Sequence, residues 1–237
     1  MANDRDAVPI HQIRRLYEGG VTGGLSDGEL LKRFLARDGQ AAERAFTALV
    51  ERHGPMVLRV ARSALRGRHD ADDAFQATFL ILARKAGSLD ARYPLGPWLH
   101  GVAYRVAVCA RAAEHRRRDK ERRAAETASV STVDLPPDDL AATLDAEIAH
   151  LPDRYRKVVV LCLVQGLTQE QAADRLGWPA GTVRSRLARG RERLRGRLVR
   201  RGLAPSAVVA GACAAPEAVA ATLVESTTRV VLSGLPG

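Results

Sequence analysis

Apolar positions come at helical spacing in successive blocks along this chain. Ser26-Asp27-Gly28-Glu29 opens the first block as a capping box, in which the Ser side chain caps the helix and Glu29 bonds back. The helix through LLKRFLARDG is expected to stop at Gly39. A second helix is predicted from about Gln40 to His53, with Ala45 and Leu49 on its apolar face. A third is predicted after Gly54-Pro55, with Val57, Val60, Ala61 and Ala64 in register. Further helices follow over Asp70 to Lys85 and from Trp98 towards Arg118. The pattern lapses over residues 119–139, first charged and then rich in Ser, Thr, Asp and Pro, which reads as a flexible linker. It resumes near Leu140 and runs to about Leu203. Residues 1–25, with Gly19-Gly20 and Gly23-Gly24, read as a loose leader, and residues 204–237 as an Ala/Val-rich tail without a motif. The expected fold class is all-α: two helical domains, 26–118 and 140–203, joined by a linker.

Composition agrees with that reading and adds a partner. Aromatic residues are 4% of the 237 positions, while Ala and Leu dominate, a mix that favours helix. Lys and Arg number 37 against 27 Asp and Glu, a net charge of +10, and the excess is mostly Arg. Arginine forks onto phosphates and bonds guanine edges bidentately, so a polyanionic partner is expected, nucleic acid before an anionic membrane surface. Cys109, Cys162 and Cys213 are scattered and odd in number, which suggests buried thiols in a reducing compartment. The charged start MANDRDAVPI lacks a signal-peptide core, and the longest apolar stretch, Ala204 to Val224, is broken by Pro205, Pro216 and Glu217. The expectation is a cytoplasmic protein without membrane insertion.

The strongest local signal lies at Leu167 to Arg201. Thr168-Gln169-Glu170-Gln171 is a second capping box, opening the short helix QEQAADRL; Gly177 stops it, and Trp178-Pro179-Ala180-Gly181 turns the chain into TVRSRLARGRERLRGRL. Two helices joined by a Gly-containing turn form the helix-turn-helix pattern. In the second helix Val183, Leu187, Leu194 and Leu198 should pack inward, while Arg184, Ser185, Ala188 and Arg189 share another face near its start, where such proteins touch base edges. Arg186, Arg191, Arg193, Arg195 and Arg197 surround them as candidate phosphate contacts. A solvated basic helix is the alternative for a charge run alone.

The block LPDRYRKVVVLCLVQGLTQEQAADRLGWPAGTVRSRLARGRERLRGRL resembles region 4 of sigma-70 family factors, above all through GTVRSRL, which is similar to the extracytoplasmic-function (ECF) members. The resemblance implies that this domain reads the minus-thirty-five promoter element, with Thr182, Arg184, Ser185, Arg186, Arg189 and Arg193 at the DNA. Asp72-Asp73-Ala74-Phe75-Gln76-Ala77-Thr78-Phe79-Leu80 is similar to region 2.2, which implies that Asp72, Asp73 and Gln76 dock on the polymerase, with Phe75, Phe79 and Leu82 as core. Pro97 to Arg105 resembles regions 2.3 to 2.4, which open the duplex and capture a flipped base. Trp98 and Tyr104 would supply stacking faces, and Arg105, Arg111, Arg116, Arg117 and Arg118 cations for the strand. Trp98, at a helix start, serves equally well as a core anchor. The loop Gly87 to Gly96 stands where the family has its specificity loop. Arg105 stands where many relatives have Asn, and Ala188 where some have a larger residue.

The resemblance covers about residues 26–118 and 140–201. Its implied partners are core RNA polymerase, through the β′ clamp helices and the β flap, promoter DNA, and an anti-sigma factor where one exists; it implies no cofactor. The short linker marks the ECF subgroup, and the WLHGVAYR and ATFLILARK blocks resemble its longer members with C-terminal extensions. Two other classes compete. An enzyme would need a P-loop, HExxH, Gly-x-Ser-x-Gly or Cys-His pair, none of which occurs, and His100, Cys109 and His115 differ in helical face. A stand-alone DNA-binding regulator shares the helix-turn-helix but has no use for the acidic pair or the aromatic segment.

Overall fold

The structure is a computed structural model that describes residues 24–124, 140–203 and 218–234. Among these residues there are nine α-helices and no strand: α1 (Asp27–Leu35), α2 (Gly39–Ala64), α3 (Arg68–Lys85), α4 (Gly96–Ala124), α5 (Leu140–Ala149), α6 (Asp153–Val159), α7 (Gln169–Leu176), α8 (Ala180–Arg200) and α9 (Ala221–Ser233). The N-terminal domain packs α1, α3 and α4 around α2, and the C-terminal domain packs α5, α6 and α7 on α8. The leader to residue 23, linker residues 125–139 and Cys213 lie outside the described residues.

Both expected capping boxes form. The Glu29 backbone N–H donates to Ser26 Oγ at 3.2 Å and the Ser26 N–H to Glu29 Oε2 at 2.7 Å. The first helix ends at Leu35, before the expected Gly39, because Arg37 takes the left-handed conformation at φ 54° and turns the chain early. The two helices expected on either side of Gly54-Pro55 are one, α2. Gly54 is there for contact rather than for a break: a Cβ on it would lie 3.1 Å from Val219 Cγ2 and 3.4 Å from the Phe75 ring. Pro55 forgoes one ladder bond, but packing on both sides carries the helix past it. The last N-terminal helix runs on to Ala124, six residues beyond the expected end, so the charged start of the linker is helical.

Phe46, Phe75 and Phe79 are fully buried, with Phe46 edge-on to Phe79 at a centroid distance of 6.4 Å and Phe75 tilted against Phe79 at 4.9 Å. Burial of such a side chain contributes about 1.5–3 kcal/mol. Their core continues without a break through Leu144, Ile148, Val158 and Leu161 into the second domain. The two domains are therefore docked, with α5 lying on α2 and α4. After Val159 the α6 helix widens: the Gln165 N–H reaches the Val160 carbonyl at 2.9 Å, five residues back, before Gly166 at φ 70° releases the chain.

Candidate nucleic-acid interface

The helix-turn-helix is built by local chemistry. Thr168 Oγ1 accepts the Gln171 N–H at 3.2 Å, and Gln171 Oε1 accepts the Thr168 N–H at 3.0 Å. Gly177 ends α7 in the left-handed region at φ 63°, where a side chain would be strained, and the Trp178 N–H closes the turn onto the Ala173 carbonyl. Val183, Leu187, Leu194 and Leu198 are buried as expected, and Gly190 lets α8 lie close on α6, since a Cβ there would meet Val159 Cγ2 at 2.7 Å. Arg184, Ser185, Ala188 and Arg189 are exposed together on one face, with Thr182 half-buried above them.

The surrounding arginines differ in freedom. Arg186 lies 4.1 Å over the Trp178 ring and Arg193 5.1 Å over that of Tyr155. Burial raises the Tyr155 phenol, but Arg154, Arg189 and Arg193 around it outweigh that and hold it below its ordinary range. Arg197, expected at a phosphate, is instead bound to Glu147 at 3.2 Å, and Arg201 joins the same carboxylate at 2.9 Å. Arg195 pairs with Glu192 at 3.1 Å, and Arg191 is exposed.

In the N-terminal domain Asp73 is exposed and Phe75, Phe79 and Leu82 are core. Asp72 is half-buried, with Oδ1 sealed from solvent and without a hydrogen-bond partner. Gln76 Nε2 donates to Ser226 Oγ of α9 at 3.2 Å. On α4, Trp98 and Tyr104 are both half-buried against the core, and the Tyr104 ring stands edge-on to His150 at 6.1 Å. Arg105, Arg111, Arg116, Arg117 and Arg118 are exposed, the last two paired with Glu121 and Glu114 of their own helix. Cys109, expected to be buried, is exposed because it lies on the outer face of α4, and Cys162 is half-buried. His100 is sealed in the core while His115 is exposed, so the two do not meet. Among the described residues no cluster of His, Cys, Asp and Glu is arranged to hold a metal ion.

Two buried polar groups that the sequence reading passed over position these surfaces. Asp27 accepts Arg52 Nη1 at 2.8 Å and the Leu95 N–H at 2.9 Å, which pins the end of the 87–95 loop, while Gly28 leaves room for the Ala91 carbonyl. His53 Nε2 lies 3.1 Å from Asp27 Oδ1, and its Nδ1 faces Gln165 Nε2 at 3.3 Å. Burial raises the Asp27 carboxyl, but His53, Arg52 and the Leu95 N–H outweigh it and hold it far below the usual range. The second group joins the domains. Asp145 of α5, 1% exposed, accepts both Arg59 nitrogens at 2.8 and 3.0 Å and Ser63 Oγ at 3.1 Å, and sits 3.1 Å from His100 Nε2. Burial again works against its charge, and His100 and Arg59 again prevail, so its carboxyl stays low. The signal available in the sequence was an Asp flanked by Leu144 and Ile148 on an apolar helix face.

The chain matches the family model described as sigma-70 region 2 over residues 49–121 and that described as sigma-70, region 4 over residues 141–194. It is 34% identical over 176 residues to the ECF RNA polymerase sigma factor SigM of Mycobacterium tuberculosis, covering 71% of this chain and 83% of that one. With the ECF RNA polymerase sigma factor SigE of Mycolicibacterium smegmatis it shares 34% identity over 171 residues, spanning 65% of that protein's length. The solved structure of CnrH in complex with the cytosolic domain of CnrY aligns over 73% of this chain and 97% of that one, at 26% identity and a TM-score of 0.36. Both matched regions stand in the expected order on one polypeptide, and the chain belongs to the sigma-70 family of RNA polymerase sigma factors, in its extracytoplasmic-function group.

Proposed function

We propose that this sigma factor docks on core RNA polymerase through α3, with Asp72, Asp73 and Gln76 on the contact face and the β′ clamp helices opposite. The C-terminal domain engages the β flap and reads the upstream promoter element. In that element Arg184, Ser185 and Arg189 meet base edges, and Thr182, Arg186 and Arg193 brace the backbone. Trp98 and Tyr104, with Arg105 and Arg111 beside them, hold the separated strand and its flipped base downstream. The chain catalyses nothing itself, needs no cofactor, and works in the cytoplasm. Among the described residues no helix is long and apolar enough to cross a membrane.

The observation that carries this reading is the joint presence of an exposed recognition face on α8 and a region-2 domain with its acidic pair. A stand-alone regulator would need only the first. Reading both promoter elements also requires the domains to part, because Tyr104 stands against His150 and Asp145 ties α5 to α2 and α4. The free factor should therefore bind promoters weakly, and specificity should emerge on core. The test is competition for core polymerase between wild type and an Asp72→Lys/Asp73→Lys variant with unchanged circular dichroism. Weakened competition by the variant is expected. Equal competition would remove this face from the contact.

A further inference from the structure

Resting on the reading of α3 as the polymerase-docking helix, we propose that the C-terminal segment is an internal competitor for that face: α9 occupies it, and core polymerase must displace α9 to bind. The tail carried no motif in sequence, yet Ala221–Ser233 folds as a helix whose apolar stripe, Val224, Thr227, Thr228 and Val231, is buried at intervals of three and four. That helix lies on α2 and α3, with bonded partners 181 and 150 residues upstream. Thr228 Oγ1 meets Thr47 Oγ1 at 3.4 Å, and Val219, just before the helix, fills the space left by Gly54.

The contact reaches the docking residues themselves. Gln76, one of the three side chains assigned to polymerase, donates its amide to Ser226. Asp72 lies one turn earlier on the same helix face, with an oxygen buried and unbonded. The means of attachment suit a reversible cover. The polar contacts of α9 to the domain are neutral, Gln–Ser and Thr–Thr, and its charged residues Glu225 and Arg229 are exposed. The joint between the two domains, by contrast, is made through a buried ion pair, Arg59 with Asp145.

A cover populated at about nine-tenths lowers the apparent affinity for core about tenfold, because only the open fraction binds. Two variants of the full chain test this. Val224→Asp/Val231→Asp places charges in the buried stripe and should free α9. Its affinity for core polymerase, measured by fluorescence competition, should rise about tenfold over wild type, with the rest of the protein still cooperatively folded. Thr47→Cys/Thr228→Cys should form a disulfide when oxidised and hold α9 in place. Core binding should then be lost and should return on adding reductant, which distinguishes blockage from misfolding. Normal core binding by the oxidised, cross-linked protein overturns the proposal, and so does wild-type affinity in the charged variant. If neither wild type nor reduced variant binds core at all, the sigma-factor docking assignment falls, and this inference with it.

Discussion

On α8 the side chains of Arg184 and Ser185 face solvent and Arg189 is exposed beside Tyr155, while on α4 the Tyr104 ring stands against His150 and on α3 the Gln76 amide is bonded to Ser226. The surface proposed to read the upstream element is thus presented, and the two proposed surfaces of the N-terminal domain are partly covered by the chain's own later segments. The difference lies in how each helix is held. The α8 helix fixes its inner stripe on α6 through Gly190 and needs nothing on its outer face. The α4 helix is shared, because His100 and the neighbouring α2 side chains Arg59 and Ser63 converge on Asp145 of the other domain.

The largest break in this comparison should come from Asp145→Ala. Removing one partner of a buried, hydrogen-bonded charge cluster costs about 3–5 kcal/mol, since Arg59 and His100 are left uncompensated. Urea denaturation at neutral pH should show that loss, and a change below about 1 kcal/mol would mean the cluster contributes little. The sign of its pH dependence follows from a carboxyl held low in the folded state. Its contribution is complete above the ordinary Asp value of 3.8 and disappears as pH falls through the lower folded value. Acid should therefore undock the domains, seen as a rise in hydrodynamic radius.

Gly190→Val tests the other side. Its Cβ would sit 2.7 Å from Val159 Cγ2, so α8 must shift, at about 1–3 kcal/mol. Gly181, with nothing within 4 Å, should accept Ala with no loss. Thermal melts of both variants compare them directly, and equal melting points would show that the α8–α6 approach is slack. Next comes Tyr104→Ala, which should spare core binding and impair duplex opening. A base–aromatic stack contributes about 1–3 kcal/mol, and a template with a pre-opened bubble should restore initiation. Trp98→Ala should behave likewise if its ring stacks on a base, and should instead lower the melting temperature if it is a core anchor. The smallest effect, confined to particular promoter positions, belongs to Arg184→Ala, about 1–3 kcal/mol of discrimination at one base pair. A uniform loss over all sequences would make it a phosphate contact.

Much of this was legible in sequence, for reasons that vary by element. Helix α7 and its cap were read to the residue because Thr168, Gln171 and Gly177 act within a few positions of one another. The continuous α2 was misread as two helices because Gly54-Pro55 looks like a break locally, and only the distant Phe75 and Val219 reveal it as a contact. Asp145, Asp27 and the α9 helix escaped for the same physical reason. Their roles depend on partners tens to nearly two hundred residues away, which spacing along one helix cannot disclose. Arg197 looked like one more free cation of a basic helix until Glu147 of α5 took it.

The most direct test of the central claim is reconstituted transcription from a duplex promoter, with core polymerase and this protein as the only factor. The account predicts initiation at a defined start that requires both proteins, together with weak promoter binding by the factor alone. Tight, sequence-specific binding by the free protein, with no core-dependent initiation, would contradict it and identify a regulator that acts without polymerase.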